Sequence, residues 1–98
     1  MSLPKNEETD YLFRAILSLH DTEECYRFFE DICTVEELRE FARRMKAARL
    51  IYHNQVYSEI AKQTGLSTAT ISRVSRCMKY GNGGYYTVLD RLEKKGSS

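Results

Sequence analysis

Apolar residues recur along this chain at intervals of three and four, with polar residues between them. That spacing lays an apolar stripe along one face of a helix. Tyr11, Leu12, Ala15, Ile16 and Leu19 form the first stripe, with Thr9 or Asp10 placed to begin its helix. Asp21-Thr22-Glu23-Glu24 has the form of a capping box, with Asp21 as N-cap and Glu24 reaching back to it. It opens a second helix with Cys25, Phe28, Phe29 and Ile32 on the inner face. Thr34-Val35-Glu36-Glu37 repeats the device ahead of a third helix running to about Tyr52. Its inner residues are Leu38, Phe41, Ala42, Met45, Ala48 and Leu50 or Ile51, and its acids precede its bases as the helix dipole favours. After a break at His53-Asn54-Gln55, the spacing predicts helices over about 57–64, 68–80 and 85–94. The last packs Tyr86, Val88, Leu89 and Leu92. No segment alternates β-branched residues between turns, and the single proline, Pro4, lies ahead of every helix. The chain is predicted to be all-α with six helices, a flexible tail over 1–9 and one domain over 10–95.

Composition narrows the function. With 98 residues, 42% apolar and 30% charged, the chain has ordinary globular composition and is short enough to be only marginally stable alone. It has no apolar run long enough for a membrane span, and its first residues lack the apolar core of a signal peptide. A cytoplasmic protein with no membrane partner is therefore expected. Cys25, Cys33 and Cys77 form no Cys-x-x-Cys pair and are expected as buried thiols. His20 and His53 fall at predicted helix ends, where a partly charged imidazole is favourable, and no further ligands at metal-binding spacing accompany them. There is no glycine-rich phosphate loop, no Ser/His/Asp set and no carboxylate pair with a separate reason to meet. The sequence predicts no enzyme, no metal and no cofactor.

Net charge is +1, yet the charges are sorted. Residues 1–40 carry eleven acids against four bases, a net −7. Residues 41–79 carry eight bases against Glu59 alone, a net +7, and residues 80–98 add +1. One surface is thus suited to a polyanion. A solvated face, or attraction between the two halves, would account for the split equally well.

The stretch Tyr57 to Arg76 supplies a candidate for the polyanion-binding surface. Two short helices crossing steeply need a small residue at the crossing and a left-handed residue in the turn; Ala61 and Gly65 stand at those offsets. Ile60, Leu66, Ile71 and Val74 form the shared core, and Ser67 is placed to cap the second helix. This leaves Thr68, Ala69, Ser72, Arg73 and Arg76 outward or on the flank. Small hydroxyl and methyl groups at a helix start suit close entry to the major groove, which makes Thr68, Ala69 and Ser72 the base-edge candidates. The first-turn amides with Ser67 or Thr70 suit a phosphate. Arg73 and Lys79 add backbone charge or guanine contacts, and Arg76 serves either purpose. Ser58, Arg43, Arg44, Lys46 and Lys62 complete the DNA-binding candidates, the basic ones as phosphate contacts. A helical hairpin whose Ala61 and Gly65 serve packing alone is the plain alternative.

The run from Asp31-Ile-Cys-Thr-Val-Glu-Glu through Arg43-Arg44, with Ile60, Thr64-Gly65 and Ala69-Thr-Ile-Ser-Arg73, resembles the tryptophan repressor superfamily. Ile16-Leu-Ser-Leu, Glu24-Cys-Tyr-Arg-Phe-Phe, Thr68-Ala-Thr-Ile-Ser-Arg-Val and Tyr80-Gly-Asn are similar to its YerC/YecD branch of small proteins from Gram-positive bacteria. The resemblance spans about residues 10–94. It implies a six-helix TrpR-like fold and an intertwined homodimer bound to double-stranded DNA as a transcriptional regulator. It also implies a small-molecule effector pocket at Thr34, Arg44, Thr70 and Arg73, the two arginines sandwiching an indole. Val74 departs from the pattern, which has a glycine there to leave room for the ligand, so tryptophan is disfavoured. Three readings follow: an ungated DNA-binding regulator, one gated by an effector between Arg44 and Arg73, and a helical dimer that binds protein through its acidic half.

Overall fold

The computed structural model describes residues 3–94, so the ends of the expected tail and domain, at residues 1–2 and 95, lie outside the described residues. Six α-helices and no strand occur among them: α1 (Glu7–Leu17), α2 (Thr22–Ile32), α3 (Val35–Tyr52), α4 (Tyr57–Thr64), α5 (Thr68–Tyr80) and α6 (Gly84–Leu89). A π-helical turn, Asp90–Lys94, continues α6. The chain divides into two compact units, residues 1–38 and 39–98, the division falling inside α3.

In the first unit, α1 begins earlier than the stripe of apolar residues suggests. Asn6 Oδ1 accepts from the Thr9 amide at 2.9 Å and from its hydroxyl at 3.1 Å, which makes Asn6 the N-cap. Glu7, Glu8 and Asp10 then sit in the first turn, at the positive end of the dipole. The helix stops at Leu17, where Ser18 turns its hydroxyl onto the Ala15 carbonyl at 2.6 Å. His20 therefore follows α1 instead of ending it.

Asp21 caps α2 as expected, accepting from the Glu24 amide at 2.8 Å. Glu24 reaches one residue further back than expected, to the His20 amide at 2.8 Å. The Thr34 box is fully reciprocal: Thr34 N–H donates to Glu37 Oε1 at 2.8 Å, and Glu37 N–H donates to Thr34 Oγ1 at 3.1 Å. The Thr34 amide, then its hydroxyl, hold the Glu37 carboxyl below the usual glutamate range.

No residue of α1 or α2 is buried. Leu12, Ala15, Ile16, Leu19, Cys25, Phe28 and Phe29 are half-buried, with the two phenyl rings edge to face at 5.4 Å. Tyr11 and Ile32, expected inside, are exposed. Two three-turn helices offer too little facing surface to enclose a side chain.

The second unit holds the core. One cluster joins Ala47, Ile60, Leu66 and Ile71, with Leu50, Ile51 and Ala61 against it. The other joins Ala48, Val74, Met78 and Leu89, with Met45, Ile51, Tyr52 and Tyr85 against it. Consecutive residues on a helix point about 100° apart. Ala47 and Ala48 therefore let α3 face both clusters, and as methyl groups they allow close approach. Phe41 and Ala42, expected inside, are exposed, while Ala47 is completely buried.

The α3 helix ends in a Schellman pattern. The Gln55 amide donates back to the Leu50 carbonyl at 3.0 Å and the Asn54 amide to Ile51 at 2.9 Å, with Asn54 left-handed at φ 63°. At the end of α5 the Gly81 amide donates to the Cys77 carbonyl at 2.9 Å, and a Cβ on Gly81 would collide with that carbonyl. The single helix expected over about 85–94 is instead a six-residue α6 that opens into the π turn at Asp90. Side chains from the end of α3 and from His53 just beyond it hold that turn. Tyr52 Oη donates to Asp90 at 2.9 Å, and Glu93 takes Arg49 at 2.7 Å and His53 at 3.4 Å. Donation to Asp90 is the main reason the Tyr52 hydroxyl is pushed above its usual range. Of the last segment's expected core, Leu89 is buried while Tyr86, Val88 and Leu92 are exposed.

Candidate nucleic-acid interface

The α4–turn–α5 pair is built from both ends inward. The α4 helix ends as Gly65 takes φ +74° and its amide donates to the Ala61 carbonyl at 2.8 Å. Any L side chain is strained at that φ. Thr64, whose role the sequence did not reveal, is buried and doubly bonded. Its hydroxyl donates to the Ile60 carbonyl at 2.7 Å and accepts from the Leu66 amide at 3.2 Å. Ser67 then starts α5, its hydroxyl accepting from the Thr70 amide at 3.2 Å and lying 3.0 Å from the Thr70 hydroxyl.

The buried face of α5 consists of Ile71, Val74, Ser75 and Met78, at the three- and four-residue spacing of one stripe. That stripe fixes what remains outside. Ser67, Thr68, Ala69, Arg73, Arg76 and Lys79 are exposed, and Thr70 and Ser72 are half-buried. On α4, Ser58 and Lys62 are exposed one turn apart. Glu59, the lone acid of residues 41–79, accepts from Gln63 Nε2 at 3.0 Å.

The basic residues of α3 divide. Arg43 is exposed. Lys46 Nζ reaches the Gln63 carbonyl at 3.4 Å, a cation on the last turn of α4. Its ammonium has three donors, so capacity for an anion remains. Arg44 is half-buried, its Nε out of solvent and 3.4 Å from Glu40 Oε1, an ion pair without hydrogen-bond geometry.

The residues matched to an effector pocket do not all stand in one unit. Thr34, in the first, spends its amide and hydroxyl on capping α3. Arg44, Thr70, Arg73 and Val74 are in the second. Val74 is 3% exposed and belongs to the core with Ala48, Met78 and Leu89. Tyr85, and not the Tyr86 expected in the core, packs against the same cluster. The Tyr85-Tyr86 doublet after a glycine-rich turn was the signal, but the phase of α6 decides between them.

Among the described residues no three His, Cys, Asp or Glu side chains converge to hold a metal ion. None of their helices is long and apolar enough to cross a membrane. All three cysteines are free, and none is the buried thiol expected: Cys25 and Cys33 are half-buried and Cys77 is exposed.

Comparison with known proteins agrees with this architecture. The family described as Trp repressor protein matches residues 7–93. The uncharacterized protein YerC of Bacillus subtilis (strain 168) is 50% identical over 90 residues, covering 92% of this chain and 86% of its own. The crystal structure of a TrpR-like protein from Eubacterium eligens ATCC 27750 superimposes with a TM-score of 0.88 at 47% identity, covering 91% of this chain and 92% of that one. A Staphylococcus aureus structure, solved as that of a proposed Trp repressor, gives a TM-score of 0.88 at 44% identity over 91% of this chain and 89% of its own. With a match of that extent in sequence and in fold, the chain belongs to the Trp repressor protein family, on the branch of YerC.

Proposed function

We propose that this protein is a sequence-specific DNA-binding transcriptional regulator that acts as a homodimer. The observation that carries the reading is the division of α5: Ile71, Val74 and Met78 are locked into the core, while Thr68, Ala69, Arg73, Arg76 and Lys79 face out. A helix anchored along one stripe, with small groups at its start and cations along its length, fits the major groove. The family is one of DNA-binding regulators and not of enzymes, which points the same way.

In this reading Thr68, Ala69 and Ser72 meet base edges. The Ser67 and Thr70 end of α5 takes a phosphate, and Ser58, exposed on α4, adds a further hydroxyl. Arg43, Arg44, Lys46 and Lys62 bind the backbone, Arg73 and Lys79 add charge, and Arg76 serves backbone or base. Dimerisation is supported by the first unit, whose two helices bury nothing of their own. In the second unit a groove of about 820 Å³, lined by Ala42, Met45, Leu89 and Leu92 with Lys46 and the Arg49–Glu93 ion pair, offers further apolar surface. A half-covered helical unit from a second copy suits it. Two reading heads related by a two-fold axis then address half-sites about 34 Å apart.

Selection from random duplexes at two salt concentrations tests this. A two-fold-symmetric site whose affinity falls steeply with salt is the expected result. Absence of binding at either salt overturns the reading and favours a protein partner on the acidic unit.

A further inference from the structure

The α5 helix ends on a side chain that packing does not explain. Tyr80, its last residue, is 82% exposed, more than any other large apolar residue among the described residues of the second unit. Ile71, Val74, Ser75 and Met78 set the inward direction of the helix. At about 100° per residue, Ala69, Arg73, Arg76 and Tyr80 lie within about 30° of the opposite direction. All four are exposed, so the tyrosine continues an outward face of one small group and two cations, with the exposed Lys79 adjacent in sequence. The turn that follows leaves that end open. Gly81 stops α5 directly after Tyr80, and a Cβ on Gly83 or Gly84 would meet nothing within 4 Å. The reading face therefore closes on an aromatic ring that its own fold does not cover.

Length decides what that ring meets when Thr68 and Ala69 stand against base edges. The rise from Ala69 to Tyr80 is about 16 Å, whereas the major groove is about 12 Å wide and about 8.5 Å deep. A helix entering by its first turn thus carries Tyr80 beyond the bases, to the wall of the groove. That wall alternates apolar deoxyribose with phosphate oxygens. A tyrosine has matching halves, a flat apolar ring and a hydroxyl that donates. We propose, on the basis of the DNA-binding reading above, that Tyr80 is an uncharged DNA-backbone contact: its ring lies on a deoxyribose and its hydroxyl donates to a phosphate oxygen. It positions α5 in the groove and carries no sequence information of its own.

Full-length wild type, Tyr80→Ala and Tyr80→Phe, compared on the selected duplex across a salt series, provide the test. Tyr80→Ala is expected to bind about tenfold more weakly and Tyr80→Phe about threefold more weakly. No cation is lost, so the slope of log affinity against log salt stays at the wild-type value. The selected site stays the same, and ethylation interference loses one phosphate in each half-site with Tyr80→Phe. Melting temperature, and its dependence on protein concentration, match the wild type because the ring is solvated. Affinity of Tyr80→Ala within about twofold of the wild type overturns the proposal. So does an interference pattern that Tyr80→Phe leaves intact. A changed salt slope overturns it by assigning the loss to a displaced cation, and a relaxed site by assigning the ring to bases. A lowered melting temperature or an altered concentration dependence overturns it by assigning the ring to the fold or to a contact between copies. A wild type that binds no duplex defeats the regulator reading and this contact with it; variants that bind as well as a binding wild type defeat the contact alone.

Discussion

The N-terminal and reading units follow the same local rules and reach opposite results. Both consist of helices with apolar stripes, and α2 and α5 each have a side-chain cap that accepts from a first-turn amide. Yet α1 and α2 bury nothing, while Ala47, Ala48, Ile60 and Ile71 of the second unit are completely buried. Leu17, at 83% exposed, and Ile71 are both large branched apolar residues on helices. Capping and periodicity make a helix; enclosure requires a partner surface that the first unit does not supply from within itself.

Mutations should separate the two units sharply. Ile71→Ala is expected to destabilise the protein by about 2–5 kcal/mol in urea unfolding, the usual toll for an enclosed aliphatic side chain. Leu17→Glu breaks the contrast in the other direction. If a second copy covers the first unit, wild-type melting temperature rises with protein concentration, and Leu17→Glu abolishes that dependence in a dilution series followed by calorimetry. A wild-type melting point independent of concentration would count against the dimer.

Gly65→Ala sharpens the reading unit itself, since it places a Cβ at φ +74° with no crowding around it. The expected loss of about 1–2 kcal/mol is therefore purely conformational. Arg76→Ala leaves the fold alone and should lower DNA affinity, with the salt slope falling by about one if the contact is to phosphate. An unchanged slope with relaxed sequence preference assigns Arg76 to a base.

The smallest effect belongs to the start of α3. Because the Glu37 carboxyl titrates below its ordinary value, its contribution to stability is complete above that value, about pH 4.5. It is lost as pH falls through the lowered value in the folded protein. Glu37→Gln should remove that step from an acid titration of stability and change little at neutral pH.

The bounds of α4 and α5 were legible because both ends carry local signals, Gly65 closing one helix and Ser67 opening the next. Their outward residues followed once Ile71 and Val74 fixed the phase. The start of α1 was misplaced because the apolar stripe begins later than the cap at Asn6. The break of α6 into a π turn was not legible, since its supports are distant in sequence: Tyr52 for Asp90, and Arg49 with His53 for Glu93. Phe41 was read as core and Ala47 was not, because hydrophobicity alone favours the larger side chain whereas a close helix crossing favours the smaller. Tyr85 escaped for a similar reason. Two adjacent tyrosines carry equal hydrophobic weight, and only the packing of α6 on α5 tells them apart.

The pair Ala47 and Ala48 acts as a shim. Each places a single methyl group between the α3 backbone and one of the clusters beneath α4 and α5. A heavier side chain at Ala47 would lift the helix from Ile60 and Ile71, and one at Ala48 from Val74 and Met78. The tilt of α4 and α5 against α3 can therefore be retuned in two independent directions by bulk alone, leaving every outward side chain of α5 unchanged.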